Sequence, residues 1–435
     1  MNLYSTKHIS PDVDLKTAVL KGLPPDNGLY MPREIKPLPE SFFDELPYYS
    51  FNEMAFRVAK NIIGDVINDE NLKEIIKESY NFEAPLKKCG EIDVLELFQG
   101  PTLAFKDFGA RFMGRLMGYF LKENTQEINI LVATSGDTGS AVAHGFYKVP
   151  NIKVSILYPK GKISDIQEKQ FTTLGHNITA IEVNGTFDDC QALVKSAFLD
   201  DELNKKLTLS SANSINIARL IPQSFYYFWA YKQLEDKSLP LNFCVPSGNF
   251  GNLTAGLFAK KMGLPIQQFI AATNNNDIFT QYLKTGKFEP RPSVSTISNA
   301  MDVGNPSNFY RVTDFFKNDF EQIKSNISAF SFDDKETAHA IKQVFEKYKY
   351  EICPHTAVAY LGMKEYLKNY PGPSNNIILA TAHPIKFGEV VEPIIGRLPE
   401  MPERLKLAIG ATKISISMRN DFESFKEWLL KNRVN

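Results

Sequence analysis

The spacing of apolar residues changes at about residue 92 of the chain. Before this point, residues 55–63 and 71–79 carry apolar side chains three and four positions apart, which predicts amphipathic helices. Beyond it, short apolar runs alternate with helical stretches, and the runs lie at 128–134, 154–158, 178–183, 207–211, 243–246, 269–273 and 377–381. This alternation favours a largely parallel, doubly wound α/β sheet that binds ligands at the carboxyl ends of its strands.

The same change predicts how the chain is divided. Residues 1–85 contain no strand-loop-helix cofactor signature and are expected to form a separate N-terminal capping domain, followed by an α/β region over 86–435. Residues 320–366 are predicted to be mainly helical, and the tail holds one more candidate strand at 413–418 and a final helix at about 422–430. A chain of 435 residues exceeds what one core supports, so two or three domains are expected.

Composition narrows the classes of function. Lys and Arg number 49 against 50 Asp and Glu, and this balance argues against a general nucleic-acid binder. No apolar run approaches the roughly 18 residues of a membrane span, and the first residues do not resemble a secretory signal. The cysteines form neither a zinc pattern nor a disulfide framework, so reduced thiols in a cytoplasmic protein are expected at Cys89, Cys190, Cys244 and Cys353.

The first of three polar loops places a lysine where a strand passes into a helix. Lys106 follows an apolar stretch and comes just before a predicted helix that Asp107 can cap. Positive backbone dipoles and the apolar walls of Ala104 and Phe105 both lower the pKa of an amine, which makes it a better Schiff-base nucleophile. The alternative is a lysine with a buried stem and a hydrated head. On this motif alone the two interpretations are equally supported.

Two further loops also lie between a strand and a helix. In the loop 246–252, two glycines permit a tight turn whose N–H groups suit a phosphate, although the spacing is neither that of a Walker loop nor that of a dinucleotide fingerprint. The loop 134–140 combines hydroxyls with backbone N–H groups and suits a carboxylate or a phosphate. Each loop on its own is equally compatible with a structural turn. Three of them at strand ends favour one shared ligand site.

Together these residues resemble the fold-type II enzymes that depend on pyridoxal 5'-phosphate (PLP), and more narrowly the threonine synthase family. The resemblance extends over nearly the whole chain, and the lysine signature is common to the larger group, whereas NSINIARL and NAMDVGNPSNF are more specific. The matching segments are YST near the start, GLPPDNGLYMP at 22–32, LFQGPTLAFKDFG at 97–109, ATSGDTGSAVAHGF at 133–146, LYPKGKISDIQEKQ at 157–170, SANSINIARLIPQSFYYFWAY at 211–231, PSGNFGNLTAG at 246–256, NAMDVGNPSNF at 299–309 and ATAHPIKF at 380–387.

The resemblance implies a fold and a cofactor site. The fold has two open, mostly parallel sheets, with a smaller sheet subdomain at about 110–235, a larger one formed by the remainder, and the N-terminal domain. Lys106 is expected to hold PLP as a Schiff base, and Thr381 to face the pyridine nitrogen. Asp137 lies where relatives often have an Asn near the phenolic oxygen of the cofactor. The PLP phosphate is expected in the loop of Gly248, Asn249, Phe250, Gly251 and Asn252.

The family's substrate, O-phosphohomoserine, carries a carboxylate and a second phosphate. Its carboxylate is expected at Thr134, Ser135 and Thr138, and its phosphate requires a cation. The candidates for the phosphate site are Lys160, Ser164, Asn213, Asn216 and Arg219, with Lys162 and Lys169 as further cations nearby. Each of these residues is equally compatible with a solvated surface position.

The implied activity is a PLP-dependent elimination and hydration that converts O-phospho-L-homoserine and water to L-threonine and phosphate. The expected partners are therefore a small-molecule substrate, with no nucleic acid and no membrane, for a monomer or a homodimer. Two other interpretations stay open at this point. One is a related PLP-dependent lyase of the Ser/Thr dehydratase type, and the other is a PLP-binding protein of this family without activity.

Overall fold

A computed structural model describes residues 1–122 and 127–434 of the chain. Its strands form three sheets, with the orders β2-β1-β3, β12-β11-β10-β13-β5-β4 and β14-β8-β7-β6-β9. The strands are β1 (Asn2–Ser5), β2 (Val13–Asp14), β3 (Tyr30–Pro32), β4 (Leu86–Cys89), β5 (Ile92–Glu96), β6 (Ile128–Ala133), β7 (Ile152–Pro159), β8 (Ile178–Asn184), β9 (Thr208–Ser211), β10 (Leu241–Pro246), β11 (Ile266–Thr273), β12 (Ile327–Ser331), β13 (Asn375–Ala380) and β14 (Ile416–Arg419).

Helices cover the sheets and join most of their strands. They are α1 (Leu15–Lys21), α2 (Glu40–Glu45), α3 (Phe51–Ile63), α4 (Asp69–Ser79), α5 (Lys106–Leu121), α6 (Asp137–Phe146), α7 (Asp165–Thr172), α8 (Phe187–Leu199), α9 (Asp201–Lys206), α10 (Ile217–Leu220), α11 (Phe225–Lys232), α12 (Gly251–Lys261), α13 (Ile278–Thr285), α14 (Phe309–Phe315), α15 (Phe320–Asn326), α16 (Asp334–Tyr348), α17 (Pro354–Asn369), α18 (Gly388–Ile395), α19 (Glu403–Gly410) and α20 (Phe422–Arg433). Short 3-10 turns lie at Leu46–Tyr48, Gly64–Val66, Ile221–Ser224, Asn299–Met301 and Pro384–Phe387.

The six-stranded sheet is parallel from β12 to β5, and β4 runs antiparallel at one edge. Strands β10 and β13 lie in its middle, and the apolar side chains of both are buried, as expected of strands covered on two faces. The five-stranded sheet is parallel throughout. The predicted α/β class with two open, mostly parallel sheets is therefore confirmed.

The five-stranded sheet includes a strand from the tail of the chain. Strand β14 pairs with β8, with Ser417 opposite Glu182. Met418 and the buried Phe425 of the final helix pack with the apolar side chains of α8. This sheet thus combines the span 128–211 with a segment more than 200 positions later.

The N-terminal region has its own small antiparallel sheet and rests on the helix that begins at Lys106. Its predicted helices at 55–63 and 71–79 are confirmed as α3 and α4; both begin earlier than predicted, because Ser50 and Asn68 cap them. Arg111 on α5 donates from Nε to the carbonyl of Ser79 at 2.7 Å. This contact holds α5 against the end of α4.

Within the described residues, each helix is too short or too polar to cross a membrane. The same part of the chain, 1–122 and 127–434, contains no group of three or more His, Cys, Asp or Glu side chains arranged to hold a metal ion. The four cysteines are buried and unpaired.

Candidate active site

Two of the predicted loops meet beside the segment that follows β13. The lysine loop follows β5 and pairs with the segment after β13: Phe105 donates to the carbonyl of Thr381 at 2.8 Å, and His383 donates to that of Leu103 at 3.1 Å. The loop that follows β6 reaches the same region through Asp137, whose charge acts on Lys106. The structure therefore brings Lys106, Asp137 and Thr381 together.

Asp107 closes the lysine loop instead of capping the helix, so the predicted cap is wrong. Helix α5 begins at Lys106 and has no side-chain cap. Because Asp107 is already within the first turn, its carboxylate turns back to accept from the Thr102 N–H at 2.8 Å and from the Thr102 hydroxyl at 2.7 Å. Burial raises the pKa of Asp107 to about 6 against the effect of these two bonds. The loop before Lys106 is thus rigidly closed.

The Lys106 amine is buried among three charged groups. Burial disfavours its ammonium form, and the cations Lys386 and Arg219 act in the same direction, whereas Asp137 opposes them. The result is a pKa lowered from 10.5 to about 8. An amine with this pKa is partly unprotonated near neutral pH, which suits attack on an aldehyde.

Asp137 is the anionic centre of the site. Its Oδ1 accepts from Lys386 Nζ at 2.6 Å and from Gln167 Nε2 at 2.9 Å. Burial works against ionisation, but the two lysines and these bonds hold the pKa of Asp137 below its usual range. Asp137 therefore stays ionised beside the Lys106 amine.

Lys386 is a site residue that the sequence reasoning did not assign. Its side chain is fully buried and also donates to the carbonyl of Thr102 at 2.7 Å. The residue stands in the segment ATAHPIKF, whose Thr381 was assigned to the site, so the signal was present in the sequence. What the sequence did not contain is the distance of 2.6 Å to a carboxylate almost 250 positions away.

The loop 134–140 is closed by its own threonine. The Thr134 hydroxyl oxygen accepts from the N–H groups of Gly136 at 3.0 Å and Gly139 at 2.8 Å. Thr134 is buried, whereas Ser135 and Thr138 remain partly exposed. The geometry thus gives Thr134 a role in shaping the loop and leaves the other two hydroxyls accessible to a ligand.

The loop 248–252 has the backbone of an anion site. Phe250 is left-handed with φ 61°, so α12 begins at Gly251 with its first N–H groups directed out of the helix end. Gly248 packs so closely that a Cβ there would lie 2.8 Å from the Cα of Met301. The Asn252 carboxamide oxygen accepts from Tyr226 at 2.7 Å and from Tyr227 at 2.8 Å.

Side chains around this loop test whether a phosphate fits. Among the described residues, Asn252 Nδ2 is a buried donor without an acceptor, although the oxygen of the same amide is satisfied. The Asn249 amide is used internally, since its Nδ2 donates to Ser214 Oγ at 2.7 Å and its Oδ1 accepts from the Ser307 N–H at 2.6 Å. An orphaned donor beside a helix N-terminus fits a phosphate group. Asn249 instead holds the loop in shape.

The residues predicted for the second phosphate divide into two groups. Arg219 is buried against α5: a Cβ on Gly109 would lie 2.8 Å from Arg219 Nε, an atom without an acceptor among the described residues. Asn213 is near it in the chain, and its Oδ1 is likewise buried without a described partner. Asn216 is fully used, since its Nδ2 donates to Val19 at 2.9 Å and its Oδ1 accepts from Ala218 at 3.0 Å.

The remaining two candidates lie at the edge of the site. Ser164 caps α7 by accepting from the Gln167 N–H, and its hydroxyl lies 3.4 Å from the carbonyl of Lys386. Lys160 is exposed at the end of β7. The structure thus keeps Ser164 close to the buried ion pair, and Lys160 at the surface.

The histidines near the site are held neutral. Burial and the charge of Lys106 lower the pKa of His355 to about 4, although Asp137 opposes the shift. Its Nε2 accepts from the Ala300 N–H at 3.1 Å, which fixes the turn against Gly248. His144 and His383 are partly buried, and burial lowers the pKa of each to about 4. The sequence does not predict His355 as a site residue, because it stands outside the segments that resemble the family.

Family models match most of the chain. The family model described as pyridoxal-phosphate dependent enzyme matches residues 90–381, and the models described as threonine synthase N terminus and threonine synthase, C-terminal match 2–80 and 356–428. A threonine synthase of Haemophilus influenzae is 46% identical over 434 residues, covering 99% of this chain and 100% of the relative.

Two solved structures are similar over nearly their whole length. The crystal structure of threonine synthase from Escherichia coli superposes with a TM-score of 0.91 at 42% identity, covering 100% of both chains. The structure of PLP-bound threonine synthase from Brucella melitensis superposes with a TM-score of 0.93 at 35% identity, covering 99% of this chain and 98% of that one.

Proposed function

Because the chain belongs to the threonine synthase family of PLP-dependent enzymes, we propose that its substrate is O-phospho-L-homoserine, which it converts with water to L-threonine and phosphate. The chain is a PLP-dependent lyase of that family. The observation that carries the proposal is the buried Lys106 amine, held with a pKa of about 8 beside the ionised Asp137.

Two parts of the chain would hold the cofactor. Lys106 would carry the aldehyde group of PLP covalently, and the N–H groups from Gly248 to Asn252 would hold its phosphate. The orphaned Asn252 Nδ2 supports this assignment. Thr381 would face the ring nitrogen. Its carbonyl accepts a hydrogen bond from the backbone of the lysine loop, which keeps the two segments together. When bound, PLP supplies the electron sink for the negative charge that develops next to the amino group.

Proton transfer would rest on Lys106. With a pKa of about 8 its amine can take up a proton and release it again near neutral pH. Asp137 stays ionised and attracts the ammonium form, so the nitrogen returns to one position after each transfer. His355, with a pKa of about 4, stays neutral and holds the turn at Ala300.

Substrate binding would use two groups of residues. Ser135 and Thr138, at the start of α6, would bind the carboxylate through hydroxyl and N–H donors. Arg219 would bind the substrate phosphate, because it is a buried cation next to Lys106 with a free Nε among the described residues. Asn213 and Ser164 would add polar contacts around that phosphate. Substrate binding by Thr134, Asn216 and Lys160 stays a weaker part of the proposal, because the first two are bonded internally and the third is exposed.

The test uses Lys106→Ala, with Lys260→Ala as the matched control. Lys260 is a partly buried lysine outside the site that donates to Asn326 at 2.7 Å. Phosphate release and threonine formation from O-phosphohomoserine with added PLP are expected in the wild type and in Lys260→Ala, and both are expected to vanish in Lys106→Ala. The borohydride-sensitive visible absorbance should vanish with them.

The same assay separates the other functions. Keto acid formed from serine or threonine at a higher kcat/KM than phosphate from O-phosphohomoserine would favour a dehydratase. A wild type that shows the PLP absorbance but turns over none of these amino acids would favour the non-catalytic alternative. Cytoplasmic location and a monomeric or homodimeric state stay predictions.

A further inference from the structure

Arg311 on α14 is a fully buried cation that the function proposed above does not use. Its exposed fraction is 0%, and its guanidinium makes five hydrogen bonds, all to uncharged oxygens. The acceptors are the Tyr30 carbonyl (Nε 3.2 Å, Nη2 3.0 Å), the Ile215 carbonyl (Nη2 2.7 Å), the Ser214 carbonyl (Nη1 3.2 Å) and Asn308 Oδ1 (Nη1 2.7 Å). Arg311 forms no ion pair with any carboxylate of the described chain.

Two of these acceptors belong to residues that hold the loop 248–252. Asn308 accepts from Arg311 and donates from Nδ2 to the carbonyl of Asn249 at 3.0 Å. Ser214 accepts from Arg311 at its carbonyl, and its hydroxyl accepts from Asn249 Nδ2 at 2.7 Å. A Cβ placed on Gly251 would lie 3.5 Å from both Asn308 Nδ2 and Ser214 Cβ. One residue thus separates the guanidinium from the start of α12.

The charge of Arg311 is costly without an anion. Burial lowers its pKa to about 9, so it stays protonated at neutral pH. A buried cation that bonds only to carbonyl and amide oxygens keeps an unbalanced charge, since dipoles only partly replace water. The PLP phosphate is dianionic near neutral pH, and the loop that would receive it lies next to the residues that Arg311 holds.

We propose that Arg311 is a positioning residue for the cofactor's phosphate: it orients Ser214 and Asn308 against the loop 248–252 and supplies the positive charge that balances the phosphate in the interior. This inference rests on the assignment of that loop in the proposed function. Arg311 also bonds to Tyr30 in β3, so the same residue connects the N-terminal sheet to the phosphate loop.

The experiment compares two ligands that differ only in the phosphate. The dissociation constants of PLP and of pyridoxal are measured on apo-protein from the visible absorbance of each adduct, for the wild type, Arg311→Met and Arg311→Lys. In Arg311→Met we expect PLP to bind about 10- to 100-fold more weakly, because the phosphate loses a nearby positive charge in the interior and the loop loses the residue that orients Ser214 and Asn308. Pyridoxal should change by less than about threefold, because it makes no phosphate contact. The diagnostic quantity is the ratio of the dissociation constant of pyridoxal to that of PLP, which falls when the phosphate contributes less to binding.

Arg433→Met is the matched control. Arg433 is also a buried arginine bonded to uncharged oxygens, those of Val154, Ser155 and Thr179, but it lies in the final helix. Its substitution should leave the ratio unchanged. Arg311→Lys keeps the charge but cannot reach all the acceptors, so it should lower the ratio by a smaller factor than Arg311→Met. If Arg311→Met does not fold, Arg311→Lys is the variant that tests the proposal.

Three results would overturn the proposal. The first is that substitution of Arg311 weakens the binding of PLP and of pyridoxal by the same factor. The second is that a folded Arg311 variant binds PLP with the wild-type affinity. The third is that Arg433→Met lowers the ratio as much as Arg311→Met. A different result addresses the proposed loop itself. If the wild type binds PLP no better than pyridoxal, the loop 248–252 does not hold a phosphate, and the role of Arg311 is excluded with it.

Discussion

Asp137→Asn and Lys386→Met are expected to move the pKa of the Lys106 amine in opposite directions. Asp137 is the group that raises this pKa, and its replacement also frees Lys386 from its ion pair, so Asp137→Asn should lower it. Lys386→Met removes a cation that lowers the pKa and leaves the carboxylate to Lys106 alone, so the pKa should rise. A residue that only supports the fold would not produce two shifts of opposite sign.

The magnitude follows from the two protonation equilibria. With a pKa of about 8, roughly one tenth of the Lys106 amine is unprotonated at pH 7, compared with about 0.03% at the ordinary value of 10.5. The site therefore increases the reactive fraction about 300-fold. An interaction change of about 1.4 kcal/mol, which is modest for charges in a protein interior, alters the pKa by about 1. Each variant should therefore change the reactive fraction at pH 7 by up to about tenfold.

The assay is the initial rate at which apo-protein forms a borohydride-reducible adduct with PLP, measured between pH 6 and 10. Peptide mass analysis locates the reduced adduct on Lys106. Because only the unprotonated amine reacts, the rate should rise with pH and level off above the pKa. The midpoint should lie near 8 in the wild type, lower in Asp137→Asn and higher in Lys386→Met.

Lys364→Met is the control, since this lysine pairs with Glu91 at 2.6 Å on the surface. Its profile should match that of the wild type. The electrostatic account of Lys106 is refuted if Asp137→Asn and Lys386→Met shift the midpoint in the same direction, or if neither shifts it by more than the control does.

The buried pair and the lysine helix give two further predictions. Lys386→Met alone should lower the free energy of unfolding of the apo-protein, measured in urea, by roughly 3–5 kcal/mol. The double variant with Asp137→Asn should lose less stability than the two single variants lose in total. Losses that simply add would contradict a coupled pair. The wild-type carboxylate has a lowered pKa, so its stabilisation is present above the ordinary carboxyl pKa and is lost in strong acid. Without Lys386, burial of the remaining carboxylate should raise its pKa above the ordinary value, so the deficit should shrink as pH falls from 8 to 5. Gly109→Ala should destabilise α5 by about 1–3 kcal/mol, because its Cβ would lie 2.7 Å from the Arg219 carbonyl. Gly118→Ala on the same helix is the control, since its Cβ would meet one side-chain methyl at 3.0 Å and should change the stability little. Equal losses of Tm in the two variants would contradict the close packing at Gly109.

The sequence predicted the buried strands better than those at sheet edges. Runs such as 128–134 and 377–381 are mostly apolar because both faces of a central parallel strand are covered, and they correspond to β6 and β13. Strand β12 was missed within a stretch predicted to be mainly helical. Its sequence ISAFS is short and mixes serines with apolar residues without a regular alternation, and only its first residue is fully buried, so its pairing with β11 has little local signal.

The candidate site could be predicted from the sequence where its signal is local. Lys106 and the loop at Gly248 are recognised from the residues next to them, since a strand end, a glycine and a helix start are contiguous in the chain. Lys386 was not assigned, because its role depends on Asp137, which stands 249 positions before it. His355 was missed for a similar reason, as its acceptor role depends on the turn at Ala300.

Buried cations show why such roles depend on the environment of a residue and not on its type. Lys386 is balanced within the chain by Asp137 at 2.6 Å. Arg311 and Arg219 are buried as well, yet neither forms an ion pair in the part of the chain that the structure describes, and both lie next to loops of the site. Burial of an arginine is not sufficient for a ligand role, since Arg433 is also buried and lies against Trp428 instead. The proposed reaction brings two phosphates into this interior, one on the cofactor and one on the substrate. We infer that the chain leaves one guanidinium unbalanced for each phosphate, because an internal carboxylate at either position would cancel the charge that the ligand requires.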